Sequence, residues 1–285
     1  MISCDSDLRV ASRPLSSLRV VGDGTTLAVV GGGNMGSALV AGLLRSGAQP
    51  SGIVVCEIDA AKRRELELAF PGVAVVETIP SCDQAVIAVK PAVVEAACRS
   101  AVAAGAVRIV SIAAGVRIAR LAEACGSSVR VIRAMPNTPA LVGAAATAFV
   151  AGPGCTSADR KWAGDLLGSF GTVIEVDEPM LDAYTGLIGS GPAYLFYVAE
   201  ALRDAAIAEG FDESTSAELV ARLFVGTAAL LEREPNRATA LREQVTSPNG
   251  TTAAGMSVLI DRKMQQAFVA AVRAATERSK ELGNS

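Results

Sequence analysis

The segment Leu27-Ala28-Val29-Val30-Gly31-Gly32-Gly33-Asn34-Met35-Gly36 constrains the fold of this chain most. Four apolar residues read as a buried strand. Gly31, Gly33 and Gly36 then fit G-x-G-x-x-G. Met35, Ala38, Leu39, Gly42 and Leu43 follow at helical spacing, and Gly47 can end that helix. Strand, glycine turn and helix form the context in which this motif holds a dinucleotide pyrophosphate. Gly31 permits the tight turn, Gly33 lets backbone approach the phosphates, and Gly36 lets helix and strand pack closely. A plain glycine turn is the alternative.

The same alternation continues downstream. Ile53–Cys56, Val73–Val76, Ala85–Val89, Val107–Ile112 and Val129–Arg133 read as further strands. Ala60–Phe70, a segment after Pro91, and Ile118–Cys125 read as the helices between them. This spacing implies a mainly parallel sheet with helices on both faces. Ala144–Val150 and Val173–Val176 look like further strands around a helix near Trp162–Leu167. Met135–Ala158 is uncharged, but Pro136, Pro139, Gly143, Gly152, Pro153 and Gly154 break it. Loop plus strand is expected there, not a membrane span.

From Glu178 the strand signals stop. Ala193–Glu209, Ser214–Glu232, Thr251–Ile260 and Lys263–Leu282 read as long helices rich in Ala and Leu. The expected organisation is a loose leader at 1–24, an α/β dinucleotide-binding domain at 25–177, and an all-α domain at 178–285. A helical domain this apolar is expected to bury one face against another subunit, with packing inside one chain as the alternative.

Composition narrows the chemistry. The 285 residues include no histidine, which excludes a His general base and any His-ligated metal; no metal site is expected. Six cysteines are scattered without C-x-x-C, so buried free thiols in a reducing cytoplasm are the default. A net charge of −3 makes no case for nucleic acid or an anionic membrane as partner. Residues 1–24 carry Asp5, Asp7, Arg9 and Arg13 and do not resemble a signal peptide.

The run Gln244-Val245-Thr246-Ser247-Pro248-Asn249-Gly250-Thr251-Thr252 leads straight into an apolar helix. Loop N–H groups and a helix N-terminus converge there, beside several hydroxyls, and together suit a carboxylate. Read alone, it could equally be a heavily decorated helix cap. Oxidising an alcohol usually needs a His, Lys or Tyr base. Reducing a protonated imine needs less, because its carbon is already electrophilic. Orientation, a carboxylate site and one hydroxyl near the nitrogen suffice.

Ordered motifs make the chain resemble the pyrroline-5-carboxylate reductases. They are GGGNMG (31–36), AVKP (88–91), SIAAGV (111–116), RAMPNTPA (133–140), DAYTGLIGSGPAYLF (182–196) and QVTSPNGTTAAG (244–255). The resemblance covers about residues 26–283. It implies a Rossmann-type domain followed by an all-α dimerisation domain, and reduction of 1-pyrroline-5-carboxylate to L-proline with NADPH or NADH. Gly31, Gly32, Gly33, Asn34, Met35 and Gly36 would hold the pyrophosphate. Val89, Lys90 and Pro91 would stand by the nicotinamide-side ribose, with Ala113 and Ala114 lining the nicotinamide. Ser247, Gly250, Thr251 and Thr252 would bind the substrate carboxylate, with Thr252 by the ring nitrogen as the catalytic residue. Glu178 would lie near the substrate, and Gln244 would reach the cofactor. Lys90 could instead be a solvated lysine, Glu178 a solvated helix-start carboxylate, and Gln244 a neutral helix residue. The resemblance also implies a homodimer through the C-terminal helices, in this family often built into a ring of dimers.

Some features depart from the family or stay open. The loop reads Ser-Pro-Asn-Gly where Ser-Pro-Gly-Gly is usual, and Asn tolerates left-handed backbone angles. Glu57 ends the second strand, where an acid would bond the ribose 2′-hydroxyl of NAD. Lys62, Arg63 and Arg64 follow and could meet a 2′-phosphate. Three alternatives remain: a reductase for another cyclic imine, a hydroxyacid dehydrogenase, and a non-catalytic NAD(P)-binding regulator. The dehydrogenases usually carry a lysine early in the helical domain, and Asp182–Glu200 has none.

Overall fold

The computed structural model describes residues 26–283, so the expected leader at 1–24 lies outside the described residues. The first strands and helices alternate as β1 (Leu27–Val30), α1 (Asn34–Arg45), β2 (Ile53–Cys56), α2 (Ala60–Ala69) and β3 (Ala74–Val76). Then come β4 (Gln84–Ile87), α3 (Val94–Ala103), β5 (Arg108–Ser111), α4 (Ile118–Cys125) and β6 (Arg130–Met135). β7 (Ala145–Ala151), α5 (Ser157–Gly168) and β8 (Gly171–Glu175) complete one sheet ordered β3-β2-β1-β4-β5-β6-β7-β8.

Strands β1 to β6 pair in parallel, as the alternation requires. β7 runs antiparallel to β6, and β8 pairs parallel to β7. The segment between β6 and β7 holds only a short turn of helix at Thr138–Val142. That is too short for a parallel crossover, so the chain turns back.

The middle of the sheet is buried on both faces: β1 and β2 are apolar and buried at every position, and β4 is buried along its whole length, whereas the edge strands β3 and β8 are not. Leu27 and Val29 of β1 face one core with Leu39, Leu43, Ile53 and Val86. Ala28 and Val30 face the other with Val54, Ile87, Ile109 and Leu121. Side-chain alternation along a strand produces this division.

Beyond β8 the chain is helical: α6 (Glu178–Tyr184), a π-helical turn at Thr185–Gly189, α7 (Gly191–Ala208), α8 (Glu213–Arg233), α9 (Ala238–Gln244), α10 (Thr251–Asp261) and α11 (Met264–Gly283). The change to helix falls at Glu178, whereas the compact units divide at Gly189. One unit ends at Gly189 and includes the chain again from Ala275; the other is Ser190–Ala274. Helix α6 stays with the sheet because Leu181 is buried with Ala148 and Val150 of β7.

The helical unit leaves much apolar surface uncovered. Phe196, Tyr197, Val225 and Ile260 are all exposed. Among the described residues, α8 is long and apolar enough to span a membrane by length and composition alone.

Candidate active site

The order of the sheet sets the place of a candidate ligand site. After β1 the chain moves outward to β2 and β3, then returns to place β4 on the other side of β1. Ligands of such sheets bind at this reversal, beyond the carboxyl ends of the strands. The segments after β1, β2, β4 and β5 all leave from that edge.

The glycine turn fits a dinucleotide pyrophosphate. Gly31 has φ +103°, a left-handed angle, and a Cβ there would lie 2.6 Å from the Ala88 carbonyl oxygen. A Cβ at Gly36 would collide with the Gly31 carbonyl oxygen, so only glycine lets α1 start this close to β1. At Gly33 the nearest atom to such a Cβ is Lys62 Nζ at 3.8 Å, so backbone faces open space. No side chain caps the N-terminus of α1. Its first N–H groups, from Asn34 onward, are therefore offered to an anion. Gly31, Gly33 and Gly36 thus take the three conformational parts that the motif assigns them.

Glu57 sits beside this turn. Its Oε2 accepts the Gly32 N–H at 3.0 Å and its Oε1 accepts the Asp59 N–H at 3.1 Å. Lys62 Nζ lies 4.0 Å from Oε2. Arg63 is turned elsewhere: its guanidinium donates to the Glu57 and Ile58 carbonyls and pairs with Glu77. Of the basic cluster, Lys62 is the cation at the glycine turn. Asp59 caps α2 through the Ala61 and Lys62 N–H groups, and these two bonds hold its carboxyl below the usual range.

Val89, Lys90 and Pro91 follow β4, with Val89 half-buried and Lys90 exposed. Ala113 and Ala114 follow β5; Ala113 is buried and Ala114 exposed. Glu178 starts α6, and its Oε1 accepts the Ile118 N–H at 2.7 Å and the Arg133 guanidinium at 2.8 Å. Arg133 is buried, so this pair compensates a desolvated cation and fixes the side chain.

In the helical unit, Asn249 adopts φ +58°, the left-handed angle that its place in the loop requires. Gly250 is the N-cap of α10 and no side chain caps that helix. A Cβ at Gly250 would collide with Ser247 Oγ. Thr251 and Thr252, the first residues of α10, are exposed, and Gln244 is exposed at the end of α9. This geometry suits a carboxylate at the α10 N-terminus.

Sequence reasoning assigned no role to Asn137, although it lies in the quoted RAMPNTPA motif. Its Oδ1 accepts the Ala146 N–H at 2.9 Å, and its Nδ2 donates to the Ile188 carbonyl at 3.3 Å in the π-helical turn. A bond across 51 positions has no local sequence signal, so only its place in the motif could have singled this residue out. The cysteines at 56, 82, 98 and 125 are buried free thiols and Cys155 is half-buried. Burial, with Cys82 nearby, pushes the Cys56 thiol up to about 12.

Comparison with known proteins decides the family. Residues 178–282 match the family described as "Pyrroline-5-carboxylate reductase dimerisation", and residues 26–115 match "NADP oxidoreductase coenzyme F420-dependent". The pyrroline-5-carboxylate reductase of Arabidopsis thaliana is 36% identical over 90% of this chain and 95% of its own length. That of Haemophilus influenzae is 36% identical over 90% and 97%. The chain belongs to the pyrroline-5-carboxylate reductase family. The Coxiella burnetii reductase structure superposes with a TM-score of 0.85 at 31% identity, covering 92% of this chain and all of that one. The Plasmodium falciparum pyrroline carboxylate reductase, solved with NADP bound, gives 0.80 at 27%, covering 91% and 98%. The match to a dimerisation family accounts for the uncovered apolar helices: members of this reductase family assemble through that region, and this chain forms a homo-oligomer.

Proposed function

We propose that this chain reduces 1-pyrroline-5-carboxylate to L-proline with NAD(P)H, the last step of proline biosynthesis. The observation that carries this is 36% identity to pyrroline-5-carboxylate reductases over nine-tenths of the chain, both the glycine turn and the hydroxyl loop included.

A reduced nicotinamide supplies a hydride equivalent when the cofactor is bound, and the protein does the rest. Gly31 and Gly32 shape the turn, their N–H groups bonded to the Cys56 carbonyl and to Glu57, and the N–H groups of Gly33, Asn34, Met35 and Gly36 bind the pyrophosphate. Glu57 and Lys62 face the adenosine side; Val89, Lys90 and Pro91 the nicotinamide-side ribose; Ala113 and Ala114 the nicotinamide. Ser247 Oγ, the Gly250 turn and the first N–H groups of α10 bind the substrate carboxylate, which fixes the ring's orientation. Thr252 Oγ1 holds a proton at the ring nitrogen and so keeps the imine carbon electrophilic. Glu178 serves by anchoring Arg133 and the start of α4. Gln244 reaches toward the cofactor.

The working form is a homodimer through the C-terminal helices, built further into a ring of dimers. Its buried free thiols suit a reducing cytoplasm. Neither nucleic acid nor membrane is a partner, which the net charge of −3 supports. Proline-dependent reduction of NAD+ and NADP+ at high pH tests the assignment. Turnover of proline supports it; turnover of other cyclic amino acids or 2-hydroxy acids, with none of proline, overturns it.

A further inference from the structure

Asp182 is buried, 1% exposed, in α6. A carboxylate there needs compensating partners, and two distant parts of the chain supply them. Ser279, in the last turns of α11, donates from Oγ to Asp182 Oδ1 at 2.8 Å across 97 positions of sequence. Arg117 places a guanidinium nitrogen 3.2 Å from Asp182 Oδ2. Arg117 is also the N-cap residue of α4, at the end of the loop that leaves β5 through Ala113 and Ala114.

The same helix end touches that loop directly. Gly115 has φ +74°, and a Cβ there would lie 3.3 Å from Leu282 Cβ. A Cβ at Gly283 would lie 3.0 Å from Arg117 Nε. The loop after β5 is therefore held by the end of α11, by hydrogen bonding through Asp182 at one point and by packing at Gly115 at another. A loop glycine with a left-handed angle has no side chain of its own to fix it.

We propose that Asp182, Arg117 and Ser279 are positioning residues that set the Ala113–Val116 loop, so that the C-terminal end of the chain shapes the nicotinamide half of the cofactor site. The inference rests on the reading that Ala113 and Ala114 line the nicotinamide. The adenosine half, built on the glycine turn and Glu57, is independent of this network.

The test uses the full-length protein and calorimetric binding. Each variant is titrated with NADP+ and with 2′-phospho-ADP-ribose, which lacks nicotinamide, and likewise with NAD+ and ADP-ribose. Ser279→Ala is expected to weaken the complete cofactors about tenfold, the scale of one hydrogen bond to a charged group, and to leave the fragments unchanged. Its kcat is expected to fall more than its KM for the imine rises. Arg117→Lys, which keeps the charge and loses the fork, gives the same pattern more weakly and serves if Ser279→Ala does not fold. Equal loss for cofactor and fragment, or no loss for either, overturns the proposal. Ala114→Met checks the underlying reading. If it leaves all four affinities unchanged, the loop does not meet nicotinamide and both ideas fall. If it weakens only the complete cofactors while Ser279→Ala weakens nothing, the positioning role alone falls.

Discussion

Glu57 accepts the N–H of Gly32 at 3.0 Å, so the acidic residue that directly follows β2 is hydrogen-bonded to the middle of the glycine turn. One carboxylate thus braces the glycine turn, and in the proposed cofactor site it presents negative charge beside the adenosine end. A cofactor 2′-phosphate would meet that charge, with Lys62 as its counterweight 4.0 Å away. Glu57→Gln is expected to shift the ratio of kcat/KM for NADPH over NADH upward by about tenfold, the effect of removing one close like charge. Lys62→Ala is expected to shift it down. Arg63→Ala should leave the ratio alone and lower stability instead, because Arg63 is bound to the Glu57 and Ile58 carbonyls. Steady-state kinetics with both cofactors check this; an unchanged ratio in Glu57→Gln and Lys62→Ala removes both residues from cofactor choice.

Gly36→Ala tests the cradle sterically. The added Cβ would collide with the Gly31 carbonyl oxygen, which lies in backbone and cannot swing aside. Helix α1 must shift away from β1, at a cost of about 1–3 kcal/mol for overpacking. Thermal unfolding should show the loss, and binding of 2′-phospho-ADP-ribose and ADP-ribose should fall with it. Gly33→Ala meets only Lys62 Nζ at 3.8 Å and should spare stability while weakening the same ligands.

The dinucleotide half was legible in the sequence because its signals are local. Ile53–Cys56 and Ile118–Cys125 match their elements residue for residue, and Asn249 takes the left-handed angle that Asn tolerates where the family usually has Gly. The segment 178–189 was only partly legible. Glu178 reads as a possible helix start, but the extent of α6 and the π-helical turn at Thr185–Gly189 carry no sequence signal. Tertiary burial of Leu181 and Asp182 stabilises this segment, and no local propensity announces that. The bonds of Glu178 to Arg133, and of Asp182 to Ser279, join residues 45 and 97 positions apart, which no period or spacing rule reaches. The antiparallel turn at β7 depended on the length of one connection.

Acid should loosen the sheet at its opposite edge. Burial would push the Asp159 carboxyl up, but the Thr156 N–H and hydroxyl and the Arg108 guanidinium, 2.7 Å away, outweigh it and hold it below the usual range. A group depressed in the folded state contributes stability that is present above its unfolded value, 3.8, and is lost as pH falls through the lower folded value. Denaturant midpoints measured from pH 6 downward are therefore expected to fall more steeply in wild type than in Asp159→Asn. Parallel curves for the two proteins would remove Asp159 from the acid response.

Thr252 is the sharpest test of the chemistry. It stands in the first turn of α10, exposed, on a helix whose N-cap is Gly250 and whose first N–H groups no side chain satisfies. Those N–H groups suit the substrate carboxylate, which leaves the Thr252 hydroxyl for the ring nitrogen. Thr252→Val removes the hydroxyl and keeps the shape, so the loop and helix should persist. Turnover is expected to fall roughly 10²-fold, the scale of one positioned proton-transfer group. Cofactor affinity, measured by calorimetry, should hold, because the glycine turn and Glu57 are untouched. Thr252→Ser should restore most of the rate by returning the hydroxyl. If Thr252→Val turns over 1-pyrroline-5-carboxylate at the wild-type rate, the hydroxyl has no part in protonation. The carboxylate site would then act on the substrate through backbone alone.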